Sequence, residues 1–481
     1  MLRKAKILAT LGPATREPAM IEALLTAGVN GIRINMSHGS QEEKEADIRA
    51  VRAAAEKLNQ PVAILVDLSG PKIRTGALKD GQPVMLETGA LFAITTRDVP
   101  GDSTEVSTNY PDLARVVQPG ARLLLDDGAI ELVVVSTNKT DVTCRVINGG
   151  VLAERKGINL PGVPLPIASL TEKDRTDLRW AVGQQADYIA LSFVRRAEDC
   201  VDAKNLISEH GGHAPLVAKI EKSEAIDNLD EIIAATDAVM VARGDLGVET
   251  SVELVPIYQK KIIEKAVQAG KMVITATQML QSMIDSPRPT RAEASDVANA
   301  VWDGTDALML SGETATGKYP IPAVTTMARI IESAESERKP EDHKRFVGQQ
   351  SGRVSRALSE AAVFAAEEMG TQTTAVFTQS GLMARRLSSL RPMQRIIALT
   401  NSPEVRRQLS LIWGVEPLIT GPNTTTTTDG MLKAGEETLL KAGAVVKGEM
   451  IVVMAGRLSG LGLSTTVSIY TIGGDSRPSR T

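Results

Sequence analysis

Val62-Ala63-Ile64-Leu65-Val66-Asp67 is followed at once by Leu68-Ser69-Gly70-Pro71, and there the rhythm of the chain changes. Before this point, short apolar runs at 6–11, 31–35 and 62–67 are separated by helix-like stretches near 18–26 and 41–58. Strands that are apolar throughout and alternate with helices suit a parallel sheet covered by helices. Between about 69 and 166 that alternation stops, and strand-like pieces at 130–135 and 142–146 stand among Gly, Asp and Pro. This stretch reads as a small β-rich insertion, with turns such as Asp127-Gly128 and Asn148-Gly149. After Leu170-Thr171-Glu172-Lys173-Asp174 the βα rhythm resumes, with runs at 188–193, 216–221, 238–242, 272–277 and 307–310. Three runs before the insertion and five after it make eight, the number a closed (β/α)8 TIM barrel requires. An open doubly wound sheet is the alternative.

A polar stretch at 335–350 reads as a linker, and the remainder as a third, α/β domain. That domain is expected to hold a helix over 354–369 and strands over 374–378, 395–399 and 450–454, with the threonine run 424–428 in a loop. The expected division is therefore a barrel from 1–68 and 168–338, a lid-like insertion over 69–167, and a C-terminal domain over 345–481.

Composition narrows the function classes. With 481 residues, 43% apolar and 23% charged, the chain is long enough for two or three well-packed domains. A net charge of −4 gives no overall positive field for nucleic acid or lipid headgroups, although local clusters of cations can still hold anionic substrates. Cys144 and Cys200 are too few for a disulfide scaffold or a cysteine metal site, which fits a reducing compartment. No run is long and apolar enough to span a bilayer. The basic start, Met1 to Lys6, leads into an apolar run that ends at Gly12-Pro13, so it reads as an opening strand and not as an export signal. A cytoplasmic protein is expected.

In a (β/α)8 barrel the reactive groups come from the C-terminal ends of the strands. The second run ends with Arg33, Asn35, Ser37 and His38, and the third with Asp67, with Lys72 and Arg74 just beyond. The fifth ends Lys219-Ile220-Glu221, and the sixth leads into Arg243-Gly244-Asp245. Thr277 and Gln278 close the seventh, and Ser311-Gly312-Glu313-Thr314 the eighth. For any one of these residues a solvated charge or a structural ion pair is the ordinary explanation; six strand ends of this kind together point to a site. Glu221 and Asp245, on adjacent strand ends, suit a hard cation such as Mg2+ that keeps some of its water. No His/Cys cluster competes, so zinc is not expected. Arg33, Arg74 and Lys219 supply positive charge for phosphates. Phosphoryl transfer asks mainly for such positioning and charge neutralisation. Gly244 would let a ligand approach the backbone, or it is a plain turn glycine. The residues alone reach a metal-assisted enzyme acting on a small phosphorylated acid.

Arg33-Ile34-Asn35-Met36-Ser37-His38-Gly39, Asp67-Leu68-Ser69-Gly70-Pro71-Lys72-Ile73-Arg74-Thr75-Gly76 and Ala218-Lys219-Ile220-Glu221 resemble the pyruvate kinase family. So do Met240 to Gly247, Ala276 to Leu280 and Leu310 to Ala315, in the family's order around an inserted domain. The resemblance implies phosphoryl transfer from phosphoenolpyruvate to ADP with Mg2+ or Mn2+, giving pyruvate and ATP at the last step of glycolysis. It implies that Lys219 stabilises the phosphoryl group in flight, that Glu221 and Asp245 hold the metal, and that Arg33 contacts the phosphoryl group. The backbone at Gly244 and Asp245, with Thr277, would take the substrate carboxylate. Thr277 and Ser311 would belong to the machinery that protonates enolpyruvate. Asn35, His38, Arg74 and Lys156 would line the nucleotide site, with Asp127 reaching the closed site from the lid.

The resemblance also implies a homotetramer with an effector site in the third domain, at Thr378, Ser380, Gly381 and Thr465. Leu382 and Met383 stand where many relatives carry hydroxyl or basic groups, so tight activation by fructose bisphosphate is not expected. Many relatives bind K+ at positions matched by Asn35, Ser37, Asp67 and the carbonyl of Leu68. Here Lys72 replaces the usual glutamate and Leu68 the usual threonine, so the ammonium is expected to stand in for K+. Two other readings compete: a metal-dependent aldolase or lyase on a related barrel, and a non-enzymatic effector-binding protein.

Overall fold

A computed structural model describes residues 3–163, 165–337, 353–421, 428–459 and 462–474. Five-residue strands at Lys6–Thr10, Ala63–Asp67, Leu216–Ile220, Ala238–Ala242 and Met272–Ala276 are buried along their whole length. That is the physical content of their uninterrupted apolar sequences: one face packs on the helices and the other into the barrel. With Gly31–Asn35, Tyr188–Leu191 and Ala307–Leu310 they make eight parallel strands in one closed barrel. Closure is explicit in the register, because the first strand pairs with the eighth (Leu8 with Met309) and with the second (Leu8 with Gly31). The open sheet is thereby excluded.

Helices cover the barrel, and several begin on side-chain caps. Thr171 and Asp174 form a capping box ahead of Glu172–Gly183, and Thr290 and Glu293 do the same ahead of Arg291–Asp303. Between the third and fourth barrel strands stands a separate six-stranded sheet with its own core around Phe92, Leu123, Leu132 and Val146. The strands Arg122–Leu125 and Ile130–Thr137 form a hairpin whose turn places Asp126, Asp127 and Gly128 at positive φ. Asn148-Gly149 is not a hairpin turn. It joins Asp141–Asn148 to Gly150–Leu152, which pairs with Val84–Leu86 in a second small sheet. A Cβ on Gly149 would lie 2.2 Å from the carbonyl oxygen of Leu86, so close backbone approach, not turn geometry, requires this glycine.

The third domain is a five-stranded sheet with its own helices. Thr373–Phe377 is central, Arg395–Thr400 and Val415–Ile419 lie on one side, and Met450–Ser459 and Gly462–Thr471 on the other. The helix Arg353–Glu368 precedes it. The helix Pro320–Ser336 runs on through Glu335, whose carboxylate accepts the backbone N–H groups of Lys4 (2.8 Å) and Ala5 (2.7 Å). The polar linker therefore begins later than residue 335, and its positions 338–350 lie outside the described residues. So do 422–427 of the threonine stretch, while Thr428 opens the helix Thr428–Lys441.

Candidate active site

At the C-terminal end of the barrel, four strands converge on one buried ammonium. Lys219 Nζ lies 2.8 Å from Glu221 Oε1 and 3.3 Å from Asp67 Oδ1, and donates to Ser192 Oγ at 2.7 Å. Asp67 in turn accepts from Arg33 Nε at 2.7 Å and faces Arg33 Nη2 at 2.7 Å. Asp67 and Glu221 are each 1% exposed, so these charges interact with little screening from water. Burial opposes the charge on Lys219, but Asp67 and Glu221 outweigh it and hold the ammonium above its ordinary range. Burial likewise opposes the Asp67 charge, and Lys219 with Arg33 draws that carboxyl below its usual value.

Glu221 behaves differently from Asp67. Burial pushes it above the usual carboxylate range, and the nearby Asp245 charge adds to this, although Lys219 pulls the other way. Glu221 also accepts the backbone N–H of Phe193 at 2.7 Å. The Asp245 carboxylate makes no hydrogen bond or ion pair among the described residues. Two carboxylates that repel each other, one without a protein partner, are the donor set a small hard cation would satisfy. Among the described residues no group of three or more His, Cys, Asp and Glu is gathered, so the protein provides no complete cage. That suits a metal that takes one or two carboxylates and fills its shell with water and substrate oxygens.

The seventh strand end is strained. Thr277 has φ +69° and Gln278 φ +53°, and for a β-branched residue the left-handed region is a true outlier. The strain directs Thr277 Oγ1 toward its neighbours, where it donates to the carbonyl of Ala276 at 2.6 Å and accepts from Gly244 N–H at 2.8 Å. Gly244 lies inside the helix Arg243–Glu249 without a positive φ, and a Cβ there would meet only ordinary contacts with Thr277. Neither turn geometry nor packing within the chain demands a glycine at 244. Ser311 Oγ is buried and has no hydrogen-bond partner, a costly state for a hydroxyl.

The inserted sheet faces this end of the barrel across a cleft. Lys72, Arg74, Asp127, Lys156 and Asp245 all line it. Arg74 Nη1 donates to the carbonyl of Arg155 at 3.1 Å, and Lys156 Nζ pairs with Asp126 at 2.9 Å. His38, nearby, is held below its ordinary value by partial burial and by the cations Arg74, Lys72, Lys44 and Arg33. The insertion is tied to the barrel through Asn159, which donates to Glu249 Oε1 at 2.9 Å while Lys222 Nζ pairs with the same oxygen at 2.7 Å.

The four positions matched to a monovalent-cation site all have partners within the chain. Asn35 Oδ1 accepts from Ser37 N–H, Asp67 holds Arg33, and the Leu68 carbonyl accepts Ser192 Oγ–H at 2.7 Å. Ser192 bridges Lys219 and Leu68 and was absent from the strand-end reading, which passed over the fourth strand. Glu313 was named there only as a strand-end residue; it is fully buried and fixes the backbone N–H groups of Leu280 and Ser311.

Residues 2–324 match the family model for the pyruvate kinase barrel domain, and 356–470 match that for the pyruvate kinase alpha/beta domain. The chain belongs to the pyruvate kinase family. A pyruvate kinase from Staphylococcus epidermidis is 42% identical over 479 residues, which is 98% of this chain and 81% of the relative. Pyruvate kinase 2 from Synechocystis is 45% identical over 468 residues, covering 96% and 78%. The crystal structure of a pyruvate kinase from Cryptosporidium parvum superimposes with a TM-score of 0.91 at 35% identity, covering 98% of this chain and 96% of that one. Pyruvate kinase activity, a phosphotransferase reaction, follows from the family, and with it a dependence on divalent metal. Among the described residues no helix is long and apolar enough to cross a membrane.

Proposed function

We propose that this cleft moves a phosphoryl group from phosphoenolpyruvate to ADP, with Lys219 at the centre of the chemistry. The observation that carries the reading is the Lys219 ammonium, held charged by Asp67 and Glu221 at the mouth of the barrel and opposite the cation-lined face of the insertion. Negative charge spreads over the transferring group in such reactions, and a fixed cation needs no reorganisation to meet it. Arg33, locked on Asp67, contacts the same group from the other side. Glu221 and Asp245 hold Mg2+ or Mn2+, which would neutralise phosphoryl and enolate oxygens when bound. The substrate carboxylate lies against the backbone at Gly244 and Asp245 and against Thr277. The proton that converts enolpyruvate to pyruvate passes through the neighbourhood of Thr277 and Ser311, whose unpaired buried hydroxyl is free to take part. Asn35, His38, Arg74 and Lys156 line the nucleotide side, and Asp127 approaches from the lid.

In this reading the barrel spans 1–68 and 168–338, the lid 69–167 and the C-terminal domain 345–481, in a cytoplasmic homotetramer. K+ is not required, because Lys72, exposed in the cleft and without an ion pair among the described residues, brings the positive charge itself. Thr378, Ser380 and Gly381 form the effector loop; Thr465, the fourth residue assigned to it, has a side chain outside the described residues. The test is ATP formation from phosphoenolpyruvate and ADP, coupled to a luminescent readout and titrated with Mg2+. Metal-dependent ATP formation supports the reading, and absence of turnover with substrates still bound would replace it with a binding protein.

A further inference from the structure

The chain leaves the barrel for the insertion after the strand Ala63–Asp67 and returns ahead of the helix Glu172–Gly183. One short segment, Ser192 to Arg195 at the end of the fourth barrel strand, touches both crossings. On the outgoing side Ser192 Oγ donates to the Leu68 carbonyl. There the Phe193 ring lies so close to Gly70 that a Cβ on the glycine would be 2.5 Å from Phe193 Cδ2. On the returning side Ser169 Oγ donates to the Phe193 carbonyl at 3.1 Å. Arg195 holds the same side, with Nη1 donating to the Leu165 carbonyl at 2.6 Å and Nη2 to that of Ile167.

The guanidinium is an unusual group for that task. Both terminal nitrogens meet neutral carbonyls, and no carboxylate pairs with this half-buried charge among the described residues. Charge-assisted hydrogen bonds are stronger than neutral ones, and a planar fork fixes two carbonyls at once. Arg195 is itself held in place: its N–H donates to Asp199 Oδ2 at 2.9 Å, and its carbonyl accepts from Asn228 Nδ2 at 2.9 Å.

The same segment meets the chemistry. Ser192 Oγ accepts from Lys219 Nζ, and the Phe193 N–H donates to Glu221 Oε2. Phe193 stands at φ +56°, a left-handed conformation that a bulky residue keeps only under constraint. Lys222, next to Glu221, lies over the Phe193 ring at 5.5 Å and pairs with Glu249, which also receives Asn159 of the insertion. The backbone that orients Glu221 is therefore the backbone on which the insertion is anchored.

We infer that Arg195 is a positioning residue for the phosphoryl transfer, holding the returning strand of the lid against Phe193 so that the lid and Glu221 take their places together. ADP lies between Lys156 of the lid and the barrel, so its binding depends on that hold, whereas phosphoenolpyruvate lies against barrel groups. The coupling rests on the assignment of Glu221 to the metal.

Full-length Arg195→Gln tests this, with Arg195→Lys beside it. Loss of the fork is expected to raise KM for ADP about tenfold, the scale of one charge-assisted hydrogen bond, with kcat and KM for phosphoenolpyruvate each changing less than about threefold. Mn2+ affinity, measured by calorimetry without nucleotide, should fall several-fold. Lysine, which can reach one carbonyl, should recover part of both losses. Ser169→Ala cuts the other link to Phe193 and should weaken Mn2+ in the same direction. An arginine with only a structural role would lower the melting temperature and leave the ADP and Mn2+ values within about twofold of the parent, and that result would overturn the inference. Should Arg195→Gln fail to fold, Ser169→Ala decides by the same limits. Glu221→Gln separates the coupling from its premise. Mn2+ weakened there but not in Arg195→Gln would overturn the coupling and leave the metal site standing; Mn2+ unchanged in Glu221→Gln would overturn both.

Discussion

Lys219 is held on three sides, by Asp67, Glu221 and Ser192, and this is why its replacement is informative. Methionine keeps most of the volume and removes the charge. Lys219→Met is expected to lower kcat by about 10²- to 10³-fold, the scale of losing one fixed electrostatic contact to the transition state. Mg2+ binding, followed by calorimetry, should survive, because Glu221 and Asp245 remain; near-normal turnover would remove Lys219 from the chemistry. Asp245 poses the complementary question. Its carboxylate lacks a protein partner and raises Glu221 through repulsion, so Asp245→Asn should leave the fold intact. The Mg2+ concentration for half activity should rise about tenfold or more, since even outer-shell changes cost that much. An unchanged metal requirement would make Asp245 a structural residue. Lys72 makes the third case. Full activity in a buffer whose only monovalent cation is a bulky organic ion, with a K+ requirement created by Lys72→Glu, is the expected pair of results. Strong K+ activation of the unaltered protein would end that idea.

At the scale of elements, the loop ahead of the helix Leu382–Ser389 decides what effector the third domain can hold. Gly381, at φ +77°, turns the chain into the helix, and its N–H is spent on Thr378 Oγ1 at 2.9 Å. Leu382 is 44% exposed and offers no donor. A phosphate at this loop would find its best donors occupied, so micromolar fructose bisphosphate should leave the half-saturating phosphoenolpyruvate concentration unchanged. A several-fold decrease would show that the loop rearranges to bind it. The elements also mark how far the sequence could be read. Barrel strands buried on both faces carry unbroken apolar runs, so their number and ends were legible. Val415–Ile419 contains Glu416 and Pro417, which a strand tolerates at a sheet edge, and no apolar run announced it. Gly462–Thr471 is rich in Ser and Thr and pairs antiparallel with Met450–Ser459, so it too was missed. In the site, charged residues at strand ends stood out while Ser192 did not. The left-handed Thr277 was illegible in principle, because local propensity opposes it and only the surrounding structure imposes it.

At the scale of the molecule, buried carboxylates of the barrel reach into the third domain: Asp187 pairs with Arg407 at 2.8 Å, and Asp306 gathers a larger set of partners. Asp306 immediately precedes the eighth barrel strand and is 3% exposed. Its Oδ1 accepts Arg391 Nη1 at 3.0 Å and Trp413 N–H at 3.2 Å, and its Oδ2 accepts Arg391 Nη2 at 3.1 Å and Val273 N–H at 2.8 Å. Arg391 also donates to the Gly304 carbonyl at 2.7 Å and stacks over Trp413 with 5.0 Å between its guanidinium and the ring centre. Oδ1 is therefore given to two groups of the third domain, and Oδ2 is shared between Arg391 and the barrel backbone at Val273. Removing the guanidinium leaves a carboxylate that water cannot reach, which is the costly way to break an ion pair. Arg391→Ala is expected to destabilise the protein by about 3–5 kcal/mol. The exposed Arg49–Glu45 pair, at 68% and 39% exposure, is the control, and Arg49→Ala should cost less than about 0.5 kcal/mol. Scanning calorimetry separates local from global effects: if the node couples the domains, Arg391→Ala should split one transition into two, the third domain melting first. Asp306→Asn combined with Arg391→Ala should cost less than the two single changes added together, because the second change removes the charge stranded by the first. A loss for Arg391→Ala no larger than that for Arg49→Ala would mean that the Asp306 node adds nothing to the junction, which the remaining contacts, among them Arg407 with Asp187 and Lys6 with the Val415 carbonyl, then hold by themselves.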